Sequence, residues 1–259
     1  MSERGERTDR QGTTFERLLE LGDDALIMAQ RLAEWVSRAP ELEEDMALAN
    51  IALDQLGQAR LLLSYAGELE GAGRTEDDLA YLRTDREFRN CQLVELPNDD
   101  FGVTIAKLLF FAAYQHLLYG WLKTKGDERL AGIAAKAEKE TAYHLDHAKL
   151  WTLRLGDGTD ESHRRMQAAV DAVWPYTHEL LEGDEAAKRA EVTEVGIDLS
   201  TLRTRWSSTV EKILAEATLA RPEDGWAPTG GRQGSHTEAF GYLIAEMQSL
   251  HRMHPGARW

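Results

Sequence analysis

Apolar residues return at steps of three and four along almost the whole chain, and alternating, strand-like runs are nearly absent. Such a chain has to fold as helices that bury their stripes against one another. The spacing predicts a first helix over 15–38, with Leu18, Leu26, Leu32 and Val36 on its stripe. Pro40 ends it, because the residue before a proline is pushed out of the α region. A second helix follows over 41–70, opening on Glu41, Glu43, Glu44 and Asp45, which suit the positive end of a helix dipole, and closing at Gly71.

A connection over 74–100, with one short helix at 76–82, leads to the turn Pro97-Asn98-Asp99-Asp100. The third long helix, 101–123, is apolar nearly all round and is expected to be buried on most sides. The fourth, 128–155, ends at Gly156-Asp157-Gly158. Two helical hairpins joined by one long crossover make the ferritin-like variant of the four-helix bundle. The expected architecture is therefore all-α: a ferritin-like four-helix bundle with one long crossover plus additional C-terminal helices. Those helices are placed at 160–181, kinked at Pro175, at 200–220 with Ser200 as N-cap, and at 236–251. Residues 1–14 read as a disordered leader and 15–259 as a single domain, with a core bundle over 15–155 and auxiliary helices over 160–259.

The formal net charge of −15 argues against nucleic acid as a partner, since phosphate would be repelled. One cysteine, Cys91, excludes an internal disulfide framework and fits a reducing cytoplasm. The uncharged apolar run 108–122 is short for a membrane span and contains Gln115 and His116, so no membrane is expected as a partner.

A bundle of this kind that holds two irons needs a glutamate from each of two helices and Glu-x-x-His from each of the other two. The second helix has Asp54-Gln55-Leu56-Gly57 in the corresponding frame and no histidine anywhere over 41–70. The third helix has no Asp or Glu over 101–123. The fourth has Glu140-Thr141-Ala142-Tyr143, with His144 one residue late. The first offers Glu34 in its last turns. None of the eight histidines has a glutamate three residues before it, so a shift of register does not restore the motif. His144 and His147 are half of a zinc set, and no cysteine completes it. The plainer reading packs one of them inside and leaves the other facing solvent, with Lys136, Glu140 and His144 filling the space of a metal. No catalytic, cofactor-binding or metal-binding residue is assigned. Gln115 and His116, beside Tyr114, read as a satisfied buried polar cluster. Arg83, Arg86 and Arg89, with Phe88 among them, form a basic patch on the crossover of an acidic chain. Arginine forks suit phosphate and an aromatic ring stacks on a base, so these four are the candidates for contact with a phosphate or a base such as adenine. A solvated face offset by Asp85 and Glu87 is the plainer reading.

The segments Leu21-Gly22-Asp23-Asp24-Ala25-Leu26, Gln30 to Trp35, Leu48 to Arg60, Lys139 to Leu145 and Arg154 to Thr159 carry a family resemblance, as do Thr229-Gly230-Gly231, Ser235 to Glu238, Glu246-Met247-Gln248 and Pro255 to Trp259. Together they resemble the non-catalytic C-type subunits of bacterial phenylacetyl-CoA epoxidases, over nearly the whole chain from Leu18. The stretch 182–194 departs most. The resemblance implies a cytoplasmic subunit that supports a homologous catalytic oxygenase subunit. That partner would hold the di-iron centre and epoxidise the ring of phenylacetyl-CoA with O₂, drawing electrons from NADPH through a reductase subunit. This chain would carry no cofactor. Other subunits of the complex and the CoA ester are further expected partners, with the ester's phosphate or adenine expected at Arg83, Arg86, Phe88 and Arg89, and self-pairing of the chain alone stays open. The expected interface is the outer face of the first two helices with the aromatic C-terminus, including Trp226 and Trp259. Two other readings remain: a di-iron oxygenase in its own right, and a stand-alone ferritin-like binding module.

Overall fold

A computed structural model describes residues 3–125, 127–182 and 198–257, with side chains from residue 12 onward. Helices α1 (Glu3–Ala33) and α2 (Leu42–Glu70) form one hairpin, and α4 (Phe101–Lys125) and α5 (Glu128–Gly156) form the other. The crossover between them holds α3 (Glu76–Tyr81) and two single 3₁₀ turns, Asp85–Glu87 and Gln92–Glu95. Then come α6 (Asp160–Val173), a 3₁₀ turn Trp174–Thr177, α7 (His178–Leu181), α8 (Leu199–Glu216) and α9 (Glu238–Met253). No strand occurs among the described residues. The fold is the ferritin-like bundle with extra C-terminal helices.

Several boundaries move for local reasons. Helix is already present from Glu3, where a leader was expected over 1–14. At its other end α1 stops at Ala33, ahead of Arg38, and Ser37 takes φ 66° in the turn. There the Trp35 indole donates to Thr104 Oγ1 at 2.9 Å, pinning the first hairpin to the start of α4. Pro175 converts the expected kink into the 3₁₀ turn. Asp198, rather than Ser200, caps α8, accepting from the Ser200 and Thr201 amides.

What sheathes each bundle helix decides where a surface remains. From Arg17 to Ala29 every residue of α1 is buried. Its expected outer face lies under the crossover and the Gly231–Gln233 turn, so the face expected for the first two helices belongs to α2 alone. Helix α4 is long and apolar enough to cross a membrane, but 78% of its most apolar window is buried inside the protein. Phe110 packs edge-on against Trp174 and tilted against Trp206, whose indole donates to Phe110 O at 3.0 Å, so the C-terminal helices cover α4 from outside. By contrast α2 and α5, antiparallel neighbours, each keep one long side in solvent.

Candidate functional site

The interior between α2, α4 and α5 is where a bundle of this kind would hold metal. It holds hydrogen-bonded side chains. Asp54 Oδ2 lies 3.1 Å from His144 Nε2, and the Gln55 amide nitrogen lies 3.4 Å from His144 Nδ1. A carboxylate only accepts, so Nε2 carries the proton and Nδ1 accepts from Gln55. Burial pushes the His144 pKa below its ordinary value against the pull of Asp54, which keeps the ring neutral. Gln55 and Gln115 exchange amide hydrogen bonds of 2.6 and 3.1 Å. Gln58 donates to Glu140 Oε2 at 3.0 Å, and the ammonium of Lys136 sits 2.9 Å from Glu140 Oε1.

Such a donor set does not fit a di-iron centre. It offers three glutamine amides, an imidazole with both nitrogens engaged, and two carboxylates, Asp54 spent on that imidazole and Glu140 paired with lysine. No three His, Cys, Asp or Glu side chains converge as a metal site among the described residues. Glu34 lies past the end of α1, bonded to Arg31 at 2.6 Å and Asn98 at 3.1 Å, and so is not in the interior. One of His144 and His147 was expected to face solvent, but His147 is largely buried as well, with Nε2 3.2 Å from Glu44 Oε2.

A model of the family described as phenylacetic acid catabolic protein matches residues 2–259. The chain belongs to that family. It is also 47% identical over 241 residues to the C-type subunit of the 1,2-phenylacetyl-CoA epoxidase of Escherichia coli strain K12, a match that covers 93% of this chain and 97% of that relative.

Many of the residues that carry the resemblance to this phenylacetic acid catabolic family act as structural clamps. Asp23 holds the Arg83 guanidinium through both oxygens and accepts the Arg89 amide at 2.8 Å. Asp24 takes a two-pronged bond from Arg232, at 2.9 and 2.7 Å, and the Cys91 amide at 2.8 Å. Glu95 gathers Asn90, His236 and the Thr237 amide. Glu179 accepts backbone amides from Gln92 and Gly231, both at 2.7 Å. Gln248 of α9 donates to the carbonyls of Ala80 and Arg83. The C-terminal segment thus locks the crossover onto α1.

This geometry corrects the arginine cluster. Arg83 is 3% exposed and Phe88 fully buried, with the guanidinium 4.2 Å above the ring centroid, so neither is presented to a ligand. Arg89 is half-buried and spends its guanidinium on the carbonyls of Arg86 and Phe88. The Arg86 side chain alone of the four is exposed. The three-residue spacing suggested one face, but the Asp85–Glu87 turn is a single 3₁₀ turn that sends the side chains different ways. Gln115 does join a buried polar cluster, whereas His116 turns aside to the Glu138 carbonyl at 3.3 Å. Gln55 and Gln58, the centre of the network, went unremarked in the sequence because glutamine in a helix is ordinary. Their one signal is position: they lie one and four residues past Asp54. Trp226 is 80% exposed, and Trp259 and residues 183–197 lie outside the described residues.

Proposed function

We propose that this chain is a non-catalytic, C-type structural subunit of a phenylacetyl-CoA epoxidase, acting in aerobic phenylacetate breakdown in the cytoplasm. It pairs with a homologous catalytic subunit, which holds the di-iron centre, and catalyses nothing alone. The observation that carries this reading is the polar network of Asp54, Gln55, Gln115, Glu140 and His144 in the bundle interior. Their donors and acceptors are spent on one another, while the packing of the four helices is kept. The relative's standing as one subunit of a larger enzyme supports the pairing.

The test is metal analysis and co-purification. The chain expressed alone is expected to hold far less than one iron and to leave phenylacetyl-CoA unchanged. Co-expressed with the catalytic-type subunit of the same bacterium, it is expected to elute with it in a complex that holds iron. About two irons per chain in the isolated protein would instead establish a di-iron oxygenase. Failure to retain that subunit would leave a stand-alone module.

A further inference from the structure

The exposed sides of α2 and α5 are apolar where a solvated helix should be polar. Leu42 is 73% exposed, Met46 62% and Leu53 64%, while on α5 Tyr143 is 55% and Leu150 66% exposed. Met46 and Leu53 are seven apart, as are Tyr143 and Leu150, so each pair shares a stripe along its helix. The stripes flank one seam. Lys136, seven residues before Tyr143, places its ammonium 3.9 Å from where a Cβ on Gly57 would stand.

Gly57 leaves a gap on the same face. A glycine in the middle of a helix is unfavourable relative to alanine, so it calls for a close neighbour. Gly22 has one, since a Cβ there would stand 2.8 Å from Leu63. Gly67 has one too, because a Cβ would collide with the Arg74 carbonyl. Gly57 has nothing within 4 Å except the tip of the flexible Lys136 side chain. No described part of this chain fills the gap, which leaves room for a partner on the seam, as the open positions Gly120, Gly132 and Gly241 do elsewhere on the helices.

Charge also singles the face out. In a chain of net charge −15, the middle of α2, residues 47–64, holds one acid and one base, Asp54 and Arg60. Residues 136–150 of α5 hold three of each. The face is thus balanced in charge, and its α2 half is poor in charged residues, as the buried core of an interface is. Its size suits one as well. The 29 residues of α2 run about 44 Å, and two helices side by side make a face about 20 Å wide, a footprint of roughly 900 Å². A stable interface takes about 800 Å² per partner.

We infer that the outer face of α2 and α5, centred on Leu53, Gly57 and Tyr143, is the docking surface for a non-identical helical subunit, which lays an apolar helix along the seam. The seven-residue repeat on both helices suits a helix crossing at a shallow angle. This rests on the structural-subunit reading above and goes further by naming the surface. A non-identical occupant is chosen over a second copy because the relative is one named subunit of an enzyme.

The test is co-expression with the tagged catalytic-type subunit of the same bacterium, followed by affinity capture and sizing. The variants are Leu53→Glu with Leu150→Glu, at residues already exposed, and separately Gly57→Gln, which fills the gap while improving helix propensity. Circular dichroism and thermal melting of each variant alone check that it folds. Both variants are expected to fold like the wild type and to weaken pairing at least 10-fold, with Trp226→Ala pairing normally. If the wild type pairs and both folded variants pair equally well, the docking surface is wrong and the structural-subunit reading stands. If they abolish only a self-dimer of this chain, the occupant is a second copy and the inference is overturned. If the wild type retains no subunit at all, both readings fall.

Discussion

Asp54 and His144 meet across the seam between α2 and α5, carboxylate to imidazole at 3.1 Å, with Gln55 on the ring's other nitrogen. Burial lowers the His144 pKa below 6.5, and it does the same for His147. A lowered folded-state pKa means that the contribution is intact above 6.5 and is lost as the pH falls through the folded value, because the unfolded chain takes up the proton first. Urea midpoints should therefore drop between pH 7.5 and pH 5.5, and drop less in His144→Gln. An identical drop in that variant would show that His144 does not contribute to the acid sensitivity.

Arg83 and Arg86 should behave oppositely despite their spacing. Replacing Arg83 with alanine strands Asp23, whose side chain is 0% exposed. Removing one partner of a buried ion pair costs about 3–5 kcal/mol. Arg86→Ala, at an exposed side chain, should stay within about 0.5 kcal/mol of wild type. Chemical denaturation of the two variants checks both values.

Glu95 should act as the latch of the C-terminal segment. Its carboxylate is buried and holds Asn90, His236 and the Thr237 amide together. Glu95→Ala leaves those donors without a partner, at about 1–3 kcal/mol for each buried group. Hydrogen exchange should rise first in 229–248 and in the crossover, with α4 still protected. Uniform exchange across the chain would show that the segment is not a separate unit.

Two glycines of α2 offer a matched pair. Gly57→Ala should stabilise the isolated chain by about 1 kcal/mol, since nothing crowds the new methyl and helix propensity improves. Gly67→Ala should destabilise it, because the methyl would strike the Arg74 carbonyl. Thermal melting of the two single variants reads the difference in sign.

The bundle was legible because its signals are local. The proline at 40, the Pro97–Asp100 turn, the glycine at 71 and the unbroken apolar character of α4 each act on their own few residues. The departure from the Glu-x-x-His pattern was legible too, since a helix without histidine or without carboxylate lacks them in any register. What stayed hidden depends on partners far along the chain. That α1 has no outer face follows from Arg232 reaching Asp24 across 208 positions, and that Arg83 points inward follows from Asp23, 60 positions earlier. The role of Gln55 and Gln58 depends on Gln115 and Glu140 from two other helices. Periodicity does not carry such pairings.

The clamp between the C-terminal segment and α1 also orders events in time. Asp24 leaves the ribosome 208 residues before its guanidinium partner. Until Arg232 and His236 are made, Asp24 on α1 and Glu95 on the crossover lack those two partners. A nascent chain must therefore wait in a loosened form, with its first hairpin assembled and its connector unfastened. Pairings this distant close late and slowly.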